Sequence, residues 1–113
     1  ANLDTIFLIA PTSTKERIKK ILSACSGFIY YISLTGVTGA KLSVDNNFIN
    51  NISLIKAFSN KPLAIGFGVS TPEEAKSISG YGDGIIIGSS IVKKLYEHPE
   101  GAEDFIKQLR EAI

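Results

Sequence analysis

The chain has 113 residues, with 12 Lys and Arg against 11 Asp and Glu, a formal net charge of +1 and 44% hydrophobic residues. That length suits one domain with its own core, the near-neutral charge lacks the basic footprint of a nucleic-acid binder, and the composition argues against wholesale disorder. No apolar run approaches the roughly 18 residues of a membrane span, and the opening Ala1-Asn2-Leu3-Asp4 lacks the basic lead and cleavage pattern of a signal peptide. A single cysteine, Cys25, and a single histidine, His98, exclude an intrachain disulfide and leave a structural zinc site without ligands. The expectation is a soluble, cytoplasmic protein with no metal and no membrane contact. There is no methionine, and an apolar run begins at Ile6, so the chain reads either as one that lost its initiator or as the tail of something longer.

Four apolar runs follow one another: Ile6 to Ala10, Phe28 to Ile32, Leu63 to Phe67, and Gly84 to Gly88. They are continuously apolar rather than alternating, which predicts strands of a parallel sheet covered on both faces. Between them lie helix signals. Ser13-Thr14-Lys15-Glu16 reads as a capping box ahead of Ile18, Ile21, Leu22 and Cys25, spaced as one helix face. Phe48, Ile49, Ile52 and Ile55 make a second stripe. Thr71-Pro72-Glu73-Glu74 combines a cap, a proline at the first helical position and an acid at the third. Ser89 or Ser90 is placed to cap a fourth helix through Ile91, Val92, Leu95 and Tyr96, ended by His98-Pro99, and a last amphipathic stretch runs from Glu103 to Ile113.

The pattern is (βα)4 plus a terminal helix, which fits either half of an eight-stranded barrel or an open, flavodoxin-like doubly wound sheet. A complete barrel needs about 250 residues, so a barrel reading makes this chain a half. Ligands bind at the carboxyl ends of the strands in both architectures. Those ends read Pro11-Thr12-Ser13, Ser33 to Gly39, Gly66 to Thr71, and Gly88-Ser89-Ser90. They are rich in glycine and hydroxyl groups and carry no carboxylate, histidine or cysteine. Glycine amides at helix starts hold a phosphate without any cationic side chain, and the loops after the last two strands are the recurring phosphate position in barrels. Tyr30 and Phe67 lie near strand ends and are candidates to floor an apolar pocket. Asp83 reads as a turn residue at the opposite end, Cys25 as buried and inert, and Asp45 as the one acid within conceivable reach of the pocket.

Three segments together resemble the tryptophan synthase alpha subunit family: Ser33 to Ala40 with Gly-Val-Thr-Gly-Ala, Lys61 to Glu73 with Gly-Phe-Gly-Val-Ser, and Asp83 to Lys93. Ile6 to Ser13 and Gly27 to Tyr31 match the preceding strands in order. The resemblance implies the last four βα units of a (β/α)8 barrel that cleaves indole-3-glycerol phosphate to indole and glyceraldehyde 3-phosphate, a carbon-carbon lyase of tryptophan biosynthesis. It implies that the amides of Gly39, Gly68, Gly88 and Ser89 hold the substrate phosphate, that Ile9, Tyr30 and Phe67 line the indole pocket, and that Thr38 sits on a closing loop. It also implies that the alpha subunit uses no cofactor and hands indole to a beta subunit, to which pyridoxal phosphate belongs. The family's two catalytic carboxylates lie in the other half and have no counterpart here. The expectation is therefore a chain inactive by itself, completed by an N-terminal half or a second copy. The other reading is a non-catalytic half-barrel or assembly module that binds a phosphate ester.

Overall fold

A computed structural model describes residues 2–33 and 44–113. Its strands are β1 (Leu8–Ile9), β2 (Ile29–Ile32), β3 (Leu63–Gly66) and β4 (Gly84–Ile86), and its helices are α1 (Lys15–Ala24), α2 (Asn46–Phe58), α3 (Pro72–Ser79), α4 (Ser89–Glu97) and α5 (Ala102–Ala112). The strands form one sheet in the order β1-β2-β3-β4, and all neighbours are parallel. Sequential order with right-handed crossovers puts every connecting helix on the same side. This is an arc of a barrel, and the flavodoxin-like alternative, in which the first strand lies inside the sheet, is excluded.

The sheet is accordingly covered on one face, not on both as its apolar runs led us to expect. Ile9, Ile29, Tyr31, Leu63 and Ile65 are at most 2% exposed and join Ile18 and Leu22 of α1, Phe48, Ile52 and Ile55 of α2, Ala75 and Ile78 of α3, and Leu109 of α5 in a single core. The other face carries the alternate residues, Leu8, Tyr30, Ala64 and Gly84 in one row and Ile32, Gly66 and Ile86 in the next. The molecule measures 44 × 38 × 22 Å, its thin dimension being that of one sheet and one helix layer.

The helix starts repeat the sequence signals with two shifts of frame. Thr14, rather than Ser13, is the N-cap of α1, accepting from the Arg17 amide, while the Ser13 hydroxyl accepts from the Ala10 amide at the end of β1. The cap is thus displaced by one residue, and Arg17 rather than Glu16 occupies the third helical position, so the expected capping box does not form. Asp45 caps α2 through the Phe48 amide at 2.8 Å. At the start of α4 the N-cap is Gly88, with no side-chain cap, so neither serine plays the part expected of it. The foot of the sheet is pinned by Asp83, whose carboxylate accepts from the Leu63 amide at 2.9 Å and whose own amide donates to the Leu63 carbonyl.

Candidate functional site

At the carboxyl ends of β3 and β4 two helix starts face the same region and are closed in different ways. In the loop before α3, the Val69 amide donates to the Phe67 carbonyl at 2.7 Å. One oxygen of Glu74 accepts from the Ser70 amide, the Ser70 hydroxyl and the Thr71 amide, and the Thr71 hydroxyl accepts from the Glu74 amide. That helix start is filled by its own carboxylate. At α4 the first intrahelical bond runs from the Val92 amide to the Gly88 carbonyl, which leaves the amides of Ser89, Ser90 and Ile91 without an intrahelical acceptor. With no cap present, these donors and the positive end of the helix dipole face outward.

The two loops are joined by one bond, from the Ser90 hydroxyl to the Val69 carbonyl at 2.6 Å. It sets Gly68 and the Gly88-Ser89 turn side by side at the ligand end. Among the described residues, a Cβ built on Gly68 or on Gly88 would meet nothing within 4 Å, and both glycines are exposed. Packing among the described residues therefore does not require glycine at either position, and the backbone there is open for close approach. An anion resting on these amides needs no lysine or arginine. Gly39 and Thr38, the other two residues expected here, lie outside the described residues.

The three residues expected around an indole ring divide between the faces. Tyr30 lies on the open face with its ring against Gly66; a Cβ on Gly66 would come within 2.8 Å of Tyr30 Cε1 and 3.1 Å of its Oη. Ile9 is in register with Tyr31 and Ile65 and is fully buried on the helix side. Phe67 is 6% exposed and packs edge-on against Phe48 of α2, with ring centroids 5.2 Å apart. Continuous apolar runs hide strand parity, so sequence reading, which placed Tyr30 and Phe67 near strand ends and took Ile9 from the family resemblance, did not separate these three. It also missed Gly66 as the seat of Tyr30 and Ser90 as the tie between loops. A glycine at a strand's end facing an aromatic on the adjacent strand was the available signal for the first; the second had none, because Val69 and Ser90 are far apart in sequence.

Other candidates have structural roles. The Asp45 carboxylate is engaged in its cap. Cys25 is buried just beyond α1, its sulfur accepting from the Phe7 amide, and His98 is exposed beside Glu100. Tyr31, below the open face, accepts from Asn51 of α2 at its phenol oxygen; burial first, partly offset by that bond and reinforced by the Asp45 charge, pushes its pKa above the ordinary 10.0. Among the described residues no group of three or more His, Cys, Asp and Glu is placed to hold a metal ion, and no helix is long and apolar enough to cross a membrane.

The sequence profile of the tryptophan synthase alpha chain family matches residues 1–113. The tryptophan synthase alpha chain of Dehalococcoides mccartyi is 44% identical over 115 aligned positions, covering 100% of this chain and 45% of that protein; that of Methanocaldococcus jannaschii is 47% identical over 96 positions, covering 85% and 34%. A solved structure of Mycobacterium tuberculosis tryptophan synthase superposes with a TM-score of 0.86 at 36% identity, covering 98% of this chain and 42% of the other. The Pyrococcus furiosus tryptophan synthase α2β2 complex gives a TM-score of 0.77 at 34% identity, covering 97% and 45%. The chain thus spans less than half the length of these relatives.

Proposed function

The chain belongs to the tryptophan synthase alpha chain family, and from that premise we propose that it forms the substrate-holding side of a lyase site cleaving indole-3-glycerol phosphate to indole and glyceraldehyde 3-phosphate. The observation that carries this reading is the pair of joined glycine loops, with uncapped α4 amides beside an unobstructed Gly68. The phosphate rests on the amides of Gly68, Gly88 and Ser89, with Gly39 contributing from the loop after β2 and Thr38 on the segment that closes over the ligand. Tyr30 faces the indole ring; Ile9 and Phe67 support the strand ends from the helix side. The compensating charge comes from peptide dipoles, so Lys41 is dispensable for phosphate.

Cleavage delivers a proton to the ring carbon that bears the side chain and removes protons from the ring nitrogen and the adjacent hydroxyl. The C–C bonding pair then passes to the ring as the hydroxyl carbon becomes the aldehyde, and the nitrogen recovers its proton. Such transfers need positioned acid–base groups, each worth about 10²–10⁴ in rate. The described strand ends supply none in a usable state: Asp45 and Glu74 are held in helix caps, and a tyrosine phenol, with a reference pKa of roughly 10, is a poor base near neutrality. The acid and base therefore belong to the part of the relatives' length that this chain does not span. The same N-terminal half covers the open face of the sheet. No cofactor is needed on this side; indole passes to a beta subunit carrying pyridoxal phosphate, in keeping with the α2β2 assembly of the Pyrococcus relative, and the working location is the cytoplasm.

A second reading, a non-catalytic half-barrel that binds a phosphate ester, is favoured by the same lack of a free carboxylate. The two part in one experiment. This chain is combined with the N-terminal half of an alpha-chain relative and supplied with indole-3-glycerol phosphate. The expected result is indole release by the assembly and none by the chain alone, with Gly88→Val raising the KM at least about tenfold by blocking the amides. An assembly that binds glycerol 3-phosphate but releases no indole leaves the binding module as the answer. Turnover by the isolated chain contradicts both.

A further inference from the structure

We propose that Ser90 is a positioning residue that assembles the phosphate site by fixing α4 against the loop after β3; the inference rests on the phosphate reading above. Its hydroxyl donates to the Val69 carbonyl at 2.6 Å, across 21 residues of sequence. Among the described residues this is the side-chain hydrogen bond that connects the two glycine loops. Both partners sit within two residues of the proposed ligand amides, Val69 directly after Gly68 and Ser90 directly after Ser89.

Two consequences follow from the chemistry of a hydroxyl. Its one proton is committed to the Val69 carbonyl, and Ser90 lies inside the first turn of α4, whose N-cap is Gly88 with no side-chain cap, so the first-turn amides stay available. The bond also engages the carbonyl of the residue directly after Gly68. Ser90 thus orders two loops before binding, which lowers the ordering cost of association. The Ser70 hydroxyl is held within its own loop by Glu74, and the Thr71 hydroxyl caps α3.

The test titrates the assembly of this chain and a relative's N-terminal half with glycerol 3-phosphate and, separately, inorganic phosphate. Ser90→Ala should weaken both by about fivefold, the factor expected for one hydrogen bond, and raise the KM for indole-3-glycerol phosphate with kcat unchanged. Ser90→Thr, which keeps the hydroxyl, should restore both affinities. A parent assembly that binds the probes while Ser90→Ala binds them equally well overturns the role of Ser90 alone. Equal weakening in Ser90→Ala and Ser90→Thr overturns it too, because the hydroxyl is then not the cause. A parent assembly that binds neither probe overturns the phosphate reading itself, and the role of Ser90 with it.

Discussion

On the helix side of the sheet, Ile9, Ile29, Tyr31, Leu63 and Ile65 are sealed, none more than 2% exposed, while on the other side Leu8 is 51% exposed and Tyr30, Ile32, Ala64 and Gly66 are half-buried. Both faces are built from apolar and small residues. The helix side is satisfied within the chain, by stripes on α1, α2, α3 and α5. The open side contributes an uncovered surface next to the ligand end and two unpaired strand edges, features that a free-standing domain usually avoids. One face is therefore satisfied by the chain's own helices, and the other is left open.

The largest expected effect lies on the sealed face. Ile65→Ala removes a fully buried side chain at the centre of the core and should destabilise folding by about 2–5 kcal/mol, read as a lower denaturation midpoint; a loss below about 0.5 kcal/mol would mean that the two faces do not differ as described. On the open face, Gly66→Ala should cost less, about 1–3 kcal/mol, because the new methyl meets a ring that has open space to move into. It should displace Tyr30, detectable as a change in tyrosine fluorescence or in ring NMR shifts. Removing the ring with Tyr30→Ala should then make Gly66→Ala nearly neutral, whereas strictly additive costs in the double variant would separate the two positions. The smallest effect concerns Tyr31. Its folded pKa is raised above 10.0 by burial, so its contribution is fully present below pH 10 and is lost as pH rises through the folded value. Tyr31→Phe should cost about 1 kcal/mol or less near neutrality, the worth of the bond to Asn51, and should flatten the alkaline decline in stability; an unchanged alkaline limb would assign that decline to other groups.

Much of the architecture was legible from local pattern. The four strands, the Thr71 cap with its proline and Glu74, and the ending of α4 before His98-Pro99 all follow from short-range chemistry that operates within one turn or one strand. Gly68, Gly88 and Ser89 were likewise legible as open backbone at strand ends. The burial of Ile9 and Phe67 on the helix side was not, because a strand that is apolar throughout carries no alternation to reveal which residues point together. Nor was the frame of the α1 cap, since Ser13 and Thr14 are chemically alike and the choice falls to the hydrogen bond between Ser13 and Ala10.

By itself, the sequence determined the order of the elements, the family, and strand ends rich in glycine and hydroxyl groups without a carboxylate, because each of these is written in residue types along the chain. Only the tertiary structure decided that the helices share one side of the sheet, that Gly66 seats Tyr30, and that Ser90 ties α4 to Val69. Those three depend on strand order, register and contacts between residues distant in the chain, and they become definite only when the sheet is assembled.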